Sequence, residues 1–547
     1  MEKSGFFHSV RLDESKCMGC TNCIKRCPTG AIRVRRGKAY IISERCIDCG
    51  ECIRICPHHA KYAEKYSFDE LQKYKYRIAL PAPTLYGQFN NLDDTDYVLT
   101  ALKKLGFDDV FEVSKGAEIV SEATRAELSH SGRKKPVISS ACPAVVRLIR
   151  VRFPNLIENV LDFNPPMEEA ARLARERAVK RTGYSKSDIG IFFITPCTAK
   201  ITAIKQPICN NGSNVDGVFG IKDIYPSLLH EMENTDKTEL LRDSGIIGVS
   251  WASSGGEASA LLTDRYLAAD GIENVIKVLE EIEDEKLSDL DFIELNACPG
   301  GCVGGPLTVE NPYVAKARIQ HLRKYMPVSC NHLEIKTVPR YMRWDNPLKE
   351  LPVMRLSDDM GEALQKMGEM KKIESSLPGL DCGTCGAPSC SDLAEDIVRG
   401  KASIEDCVFF SRENTDKNNY IPIPAPFRKT EKNERYGENM NIKEISEKLG
   451  LSFLNEAEPS KEVEGGYCGD LLSFVMSHAK CGDCWFTVMG NVNAVAVAVL
   501  SDCAAIVLCE NSTLDGDALE KAKEQGVNIL SSAEDAFSLS AKLSGLL

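Results

Sequence analysis

Beyond Tyr66 the chain alternates short apolar runs with polar loops and amphipathic stretches. Arg77–Leu80, Pro136–Ser139, Ile189–Thr195, Gly245–Ser250 and Phe292–Leu295 are β-like runs, each followed by a loop or helix, the order of an α/β domain. Asp392–Lys401 reads as a helix. Ser411 to Met440 is charged, and Ile421-Pro-Ile-Pro-Ala-Pro426 inside it reads as a stiff extended spacer. A separate unit follows, with a helix at Asn441–Leu449 and strands near Trp485–Met489, Ala494–Leu500 and Ala504–Cys509. Helices at Leu519–Gln525 and Glu534–Leu543 complete it. The nearest approach to a membrane span, Val492 to Cys509, is broken by Ser501-Asp502 and reads as two buried strands.

A length of 547 residues asks for several cores, and 43% apolar with 27% charged residues describes a folded, soluble chain. The net charge of -12 excludes a nucleic-acid partner, which needs a concentrated positive field. The basic run from Arg33 to Lys38 reads as the solvated side of a hairpin. No apolar secretory segment opens the chain, and 23 cysteines then point to reduced thiols ligating metal in a cytosol, with an anaerobic host favoured by exposed iron–sulfur sites.

The cysteine spacing is the strongest chemical signal. Cys17-x2-Cys20-x2-Cys23-x3-Cys27-Pro28 is followed by Cys46-x2-Cys49-x2-Cys52-x3-Cys56-Pro57, the bacterial two-cluster ferredoxin pattern. In that pattern the distant fourth cysteine serves the other cube, so Cys17, Cys20, Cys23 and Cys56 form one set and Cys46, Cys49, Cys52 and Cys27 the second. Zinc is the competing ligand, but it usually pairs two short Cys-x2-Cys knuckles. His58-His59 reads as an exposed pair.

Three β-like runs lead into cysteines: Ser139-Ser-Ala-Cys142-Pro143, Ile194-Thr-Pro-Cys197-Thr-Ala-Lys200 and Glu294-x3-Cys298-Pro-Gly-Gly-Cys302-x-Gly-Gly305. Ligands at the carboxyl ends of strands suit a crevice site in an open α/β sheet. The third segment is the most specific, because its Pro and Gly residues let the backbone bring two thiolates to one group.

These segments, over roughly Tyr76 to Trp344, resemble the three signatures of the FeFe-hydrogenase catalytic domain, in the family's order. The resemblance implies that Cys142, Cys197, Cys298 and Cys302 bind the 4Fe–4S cube of an H-cluster. Cys302 would also bridge to a di-iron subsite carrying carbonyl, cyanide and azadithiolate ligands, installed by maturation proteins. Lys200 would hold a cyanide ligand, a charged donor for a buried anionic complex.

The chain departs from the family at several positions. Ala141 replaces the cysteine that exchanges protons, Val145 a tryptophan, and Thr195 and Asn296 two methionines. In Glu122-Ala-Thr-Arg125, only Glu122 matches the two relay glutamates. Losing the thiol should slow proton delivery unless another route substitutes. This combination resembles the sensory FeFe-hydrogenases.

Cys382-Gly-Thr-Cys385-Gly-Ala-Pro-Ser-Cys390 with Cys407 resembles a small four-cysteine 4Fe–4S domain, with zinc left open as the alternative. Glu464-Gly-Gly-Tyr-Cys-Gly-Asp-Leu-Leu472 and the strands after it resemble a DRTGG-type regulatory domain. Cys481-Gly-Asp-Cys484 is read as packing rather than a redox pair, Cys481 ending a helix and Cys484 opening a strand. Cys209, Cys330, Cys468, Cys503 and Cys509 are read as single, unligated residues.

The expected architecture is multidomain α+β and α/β. It comprises a two-cluster ferredoxin-like domain (1–66), a two-lobed α/β H-cluster domain (67–345), a four-cysteine domain (346–410), a linker (411–440) and an α/β DRTGG-like domain (441–547). The expected function is reversible oxidation of dihydrogen to protons and electrons, at low turnover, as a hydrogen or redox sensor with a ferredoxin or regulatory partner. The cofactors implied are three 4Fe–4S clusters and the H-cluster, without a membrane partner; a homodimer is compatible with this reading. The alternatives are a metabolic ferredoxin-dependent hydrogenase with an altered proton route, and a non-catalytic hydrogenase-like iron–sulfur protein.

Overall fold

The computed structural model describes residues 6–130, 132–332, 337–357, 359–411, 440–470, 472, 475 and 479–547. The extended spacer expected at 421–426, the first five residues and Leu471 of the Glu464–Leu472 motif lie outside them. The chain divides into two compact units, Met1–Ile421 and Pro422–Leu547. Among the described residues no helix is long and apolar enough to cross a membrane.

In the first unit, strand Val10–Leu12 pairs antiparallel with Lys61–Ala63, and Ile32–Arg35 forms a hairpin with Lys38–Ile41. The loops between these strands carry the first eight cysteines. The basic run does form a hairpin, but Arg33 is 0% exposed rather than solvated. Its guanidinium is buried against Asp396 of the helix Cys390–Val398, which supplies the countercharge that permits burial.

Two parallel sheets follow. The first has the order Asp109–Val110, Tyr76–Pro81, Ile189–Thr195, Gly217–Gly220, and the second the order Tyr266–Asp270, Phe292–Asn296, Val137–Ile138. Every residue of Ile189–Thr195 is buried, as expected for a parallel strand covered on both faces. Gly245–Ser250, expected as a strand, is instead the helix Ile246–Ser250. The chain enters it at Gly245, whose amide donates to buried Glu118 (2.6 Å), and packs it on the long helix Val113–His130.

The second unit is a five-stranded sheet ordered Ser452–Asn455, Asn528–Ser531, Ala505–Leu508, Asp483–Thr487, Gly465–Cys468, with only the first pair antiparallel. Val492–Leu500, expected as a strand, is a helix. It joins two adjacent parallel strands, a connection that needs a crossover. Asn491 caps it, its side chain accepting from the amides of Asn493 and Ala494 (both 3.1 Å). The helices Ile442–Leu449, Gly516–Gln525 and Ala536–Ser544 agree with the pattern. Cys484 is buried within its strand; Cys481 stands in an exposed turn, bonded to Asp502, and the helix expected before it lies largely outside the described residues.

The helices Val113–His130 and Pro166–Thr182 cross at Gly116, where an added Cβ would stand 2.3 Å from the Pro166 carbonyl oxygen. Gly116→Ala is therefore expected to destabilise the first unit by about 1–3 kcal/mol. A lowered thermal midpoint would show this, whereas an unchanged midpoint would mean that the helices part without cost.

Candidate functional site

The three cysteine segments meet between the two parallel sheets. Cys142 precedes the helix Pro143–Arg152, and Cys197 precedes the helix Thr198–Lys205. The Thr195 hydroxyl accepts the amide of Cys197 (3.1 Å) and so sets the turn at the end of Ile189–Thr195. Cys298 and Cys302 bracket a loop in which Gly301 has φ 89°, and its Cβ would lie 2.4 Å from the amide nitrogen of Ser254. At Gly305 a Cβ would lie 2.2 Å from the Pro196 carbonyl oxygen. Only glycine lets the third loop close onto the second.

A cavity of about 60 Å³ lies where these loops converge, lined by Cys142, Cys197, Cys298, Cys302, Lys200 and Ala141 among others. That is room for several water-sized groups, since one water needs roughly 10–15 Å³. Asn296, Glu257 and Glu294 also reach it. Thr195 and Glu122 are not among its lining residues. Thr195 is fully buried behind Cys197, while Glu122 accepts from His332 Nδ1 (2.9 Å) and pairs with Arg125.

The electrostatics favour a metal at the cysteines. Burial pushes the Cys142 and Cys298 thiols up, and Cys197 up to about 12. Four such thiols ionise together only beside compensating cations, which bound iron provides. The Lys200 ammonium lies 3.7 Å from Cys302 Sγ. Burial opposes its charge, but the sulfurs of Cys302, Cys197 and Cys142 outweigh burial and hold it above the ordinary lysine range. Arg54 reaches in from the helix Glu51–Arg54, donating to the Gly304 carbonyl oxygen (2.5 Å) with its guanidinium beside Cys298.

A second polar group, not singled out from the sequence, sits on the same cavity. Ser139 Oγ donates to both carboxyl oxygens of Glu257 (2.8 and 2.7 Å) and accepts the amide of Ala141 (3.1 Å). Glu294 accepts from the Asn296 side chain (2.7 Å) and from the amides of Gly255 and Ala258. Burial first, and the charge of Glu294 second, push the Glu257 carboxyl up to about 8. Glu294, itself buried, is also pushed up. A charged residue within the apolar strand Phe292–Asn296 was a visible sign of Glu294. Glu257 stands in a Ser/Gly loop without any such sign.

The remaining cysteines gather in three sets. One cavity is lined by Cys17, Cys20, Cys23 and Cys56, and another by Cys27, Cys46, Cys49 and Cys52. Cys385, Cys390 and Cys407 share a small apolar cluster, with the Cys382 charge acting on Cys385. His58 and His59 are exposed.

Residues 75–268 and 230–306 match the family described as iron only hydrogenase large subunit, C-terminal domain. Residues 9–57 match a 4Fe-4S dicluster domain, and 377–409 an Fe-S cluster family. The periplasmic Fe hydrogenase large subunit of Nitratidesulfovibrio vulgaris is 26% identical over 362 residues, covering 54% of this chain and 86% of that protein. Iron hydrogenase 1 of Clostridium pasteurianum is 23% identical over 368 residues, covering 54% of this chain and 64% of that protein, just under two thirds of its length. A variant of FeFe-hydrogenase HydA1 from Chlamydomonas reinhardtii aligns in structure with a TM-score of 0.36 at 18% identity, covering 46% of this chain and 87% of that one. The segment 75–306 belongs to the iron-only hydrogenase large-subunit family, and the chain that carries it is a hydrogenase-like iron–sulfur protein.

Proposed function

We propose that the chain oxidises dihydrogen reversibly to protons and electrons, slowly, and serves as a hydrogen or redox sensor in an anaerobic cytosol. The observation that carries the slow, sensory part is Ala141. It lines the cavity beside Cys142, and its methyl group has no proton to exchange. Cys142, Cys197, Cys298 and Cys302 would hold a 4Fe–4S cube joined to a di-iron subsite, and that group, when bound, supplies the splitting of dihydrogen. Lys200 presents a fixed cation to the anionic ligands of such a group. Thr195 spends its hydroxyl on the Cys197 turn and Asn296 its amide on Glu294, so both act by holding their neighbours in place.

Glu257 is the proton-handling side chain this reading favours. Its carboxyl faces the cavity, is oriented by Ser139, and changes charge near pH 8. In dihydrogen oxidation its ionised form accepts a proton, and in the reverse direction its acid form donates one. The segments 1–66 and 346–410 would carry electrons, and 441–547 would report redox state to a partner protein as a DRTGG-like domain.

Infrared spectroscopy of the chain after maturation with the di-iron subsite tests the reading. Carbonyl and cyanide bands that respond to dihydrogen are expected, and their absence would favour a non-catalytic protein. Ala141→Cys is expected to raise turnover by about tenfold or more, within the range a positioned acid–base group supplies. Unchanged turnover would remove the support for a sensor.

Glu257 also sets a pH dependence. Its folded carboxyl keeps its proton to higher pH than an unfolded glutamate, so its contribution favours the fold below the ordinary carboxylate range and is lost as pH rises through about 8. Glu257→Gln is expected to flatten the fall in unfolding midpoint between about pH 5 and pH 8 and to reduce turnover. A variant whose thermal profile and turnover match the parent's would exclude this role.

A further inference from the structure

The contacts around Arg33 order the cysteine sets along the first unit. Arg33 Nε donates to Asp396 (2.7 Å) and its Nη2 to Asp392 (3.2 Å), while Arg35 also reaches Asp396 (3.1 Å). Arg45, 4% exposed, pairs with Glu395. Three arginines of the N-terminal segment thus grip three carboxylates of the helix Cys390–Val398. Long side chains seldom lie this deep without a fixed geometry to hold them.

The grip seats one loop in one place. The amide of Val34 donates to the Gly386 carbonyl oxygen (2.8 Å), and Lys25 Nζ donates to that of Pro388 (2.8 Å). Gly386 has φ 81°, and a Cβ there would stand 1.8 Å from the Val34 carbonyl oxygen, so the two backbones touch. Gly383 lies against Ile24 and Lys25, next to Cys23. Val34 itself lines the cavity of Cys17, Cys20, Cys23 and Cys56. Cys385, adjacent to Gly386, is therefore one backbone hydrogen bond from the wall of that cavity.

The other N-terminal set faces the opposite way. Thr198, next to Cys197, donates its hydroxyl to the Asp48 carbonyl oxygen (2.5 Å). A Cβ on Gly50 would lie 2.4 Å from the Pro306 ring. Asp48 and Gly50 flank Cys49, which lines the cavity of Cys27, Cys46, Cys49 and Cys52. The cysteine sets then run from Cys382 through Cys17 and Cys46 to Cys142, each set named by its first member beside the next.

We propose that the Cys382–Cys407 module is the outer electron port of the chain, latched by Arg33 and Arg45 against the Cys17 set rather than the Cys46 set. This rests on the proposed function for its direction of flow. Each dihydrogen oxidised yields two protons and two electrons, and the electrons leave singly through Cys382, the exposed cysteine of the module, to a one-electron acceptor such as a viologen. The reverse flow takes two electrons from a one-electron donor.

The test uses the full chain reconstituted with iron and sulfide, without the di-iron subsite, reduced and examined by electron paramagnetic resonance. The signal of the Cys382 set is identified by its loss in Cys382→Ala. In the parent chain that signal is expected to show magnetic coupling that disappears in Cys17→Ala/Cys20→Ala and persists in Cys46→Ala/Cys49→Ala. Arg33→Gln/Arg45→Gln is expected to keep the signal and lose the coupling. An uncoupled signal in the parent chain, coupling that depends on the Cys46 set, or coupling untouched by the arginine variant would overturn the proposal. The readout needs neither dihydrogen nor the subsite, so it stands or falls apart from the catalytic reading.

Discussion

The organising constraint is the burial of negatively charged sulfur. Cys142, Cys197, Cys298 and Cys302 converge where two parallel sheets end, and burial keeps their thiols protonated until a cation joins them. Lys200 is placed for that environment. At 3.7 Å from Cys302 Sγ, a unit charge pair is worth about 4 kcal/mol at an effective dielectric constant near 20. The ammonium keeps its charge because the sulfurs outweigh the penalty of burial.

Much of the surrounding fold can be understood as serving that convergence. The loops close only because Gly301 and Gly305 let backbone approach backbone, and the strand ends are held by turns such as the Thr195–Cys197 bond. Arg54 ties the cysteine-rich N-terminal segment to the Cys298 loop. The second unit, with its five-stranded sheet, is a separate structure with its own apolar cores.

What was legible in the sequence follows from how local each constraint is. Metal ligation imposes short, fixed cysteine spacing, so all sixteen cysteines assigned to clusters could be read from spacing and resemblance. Tertiary constraints were hidden. Val492–Leu500 looks like a strand because it is rich in valine, yet the two parallel strands it joins require a helix between them. Arg33 looks solvated until Asp396, far along the chain, is brought to it. Glu257 joins the cavity only through Ser139, and nothing in its own neighbourhood marks it.

The most direct test of the central claim is a redox titration, followed by electron paramagnetic resonance, of the iron-reconstituted chain before maturation, beside its Lys200→Met variant. The signal of interest is the cube that depends on Cys298. The account predicts that this signal is present in both and that its midpoint moves to more negative potential in the variant, because a nearby cation that favours the added electron is gone. A signal at the same potential in both, or no cube dependent on Cys298, would contradict it.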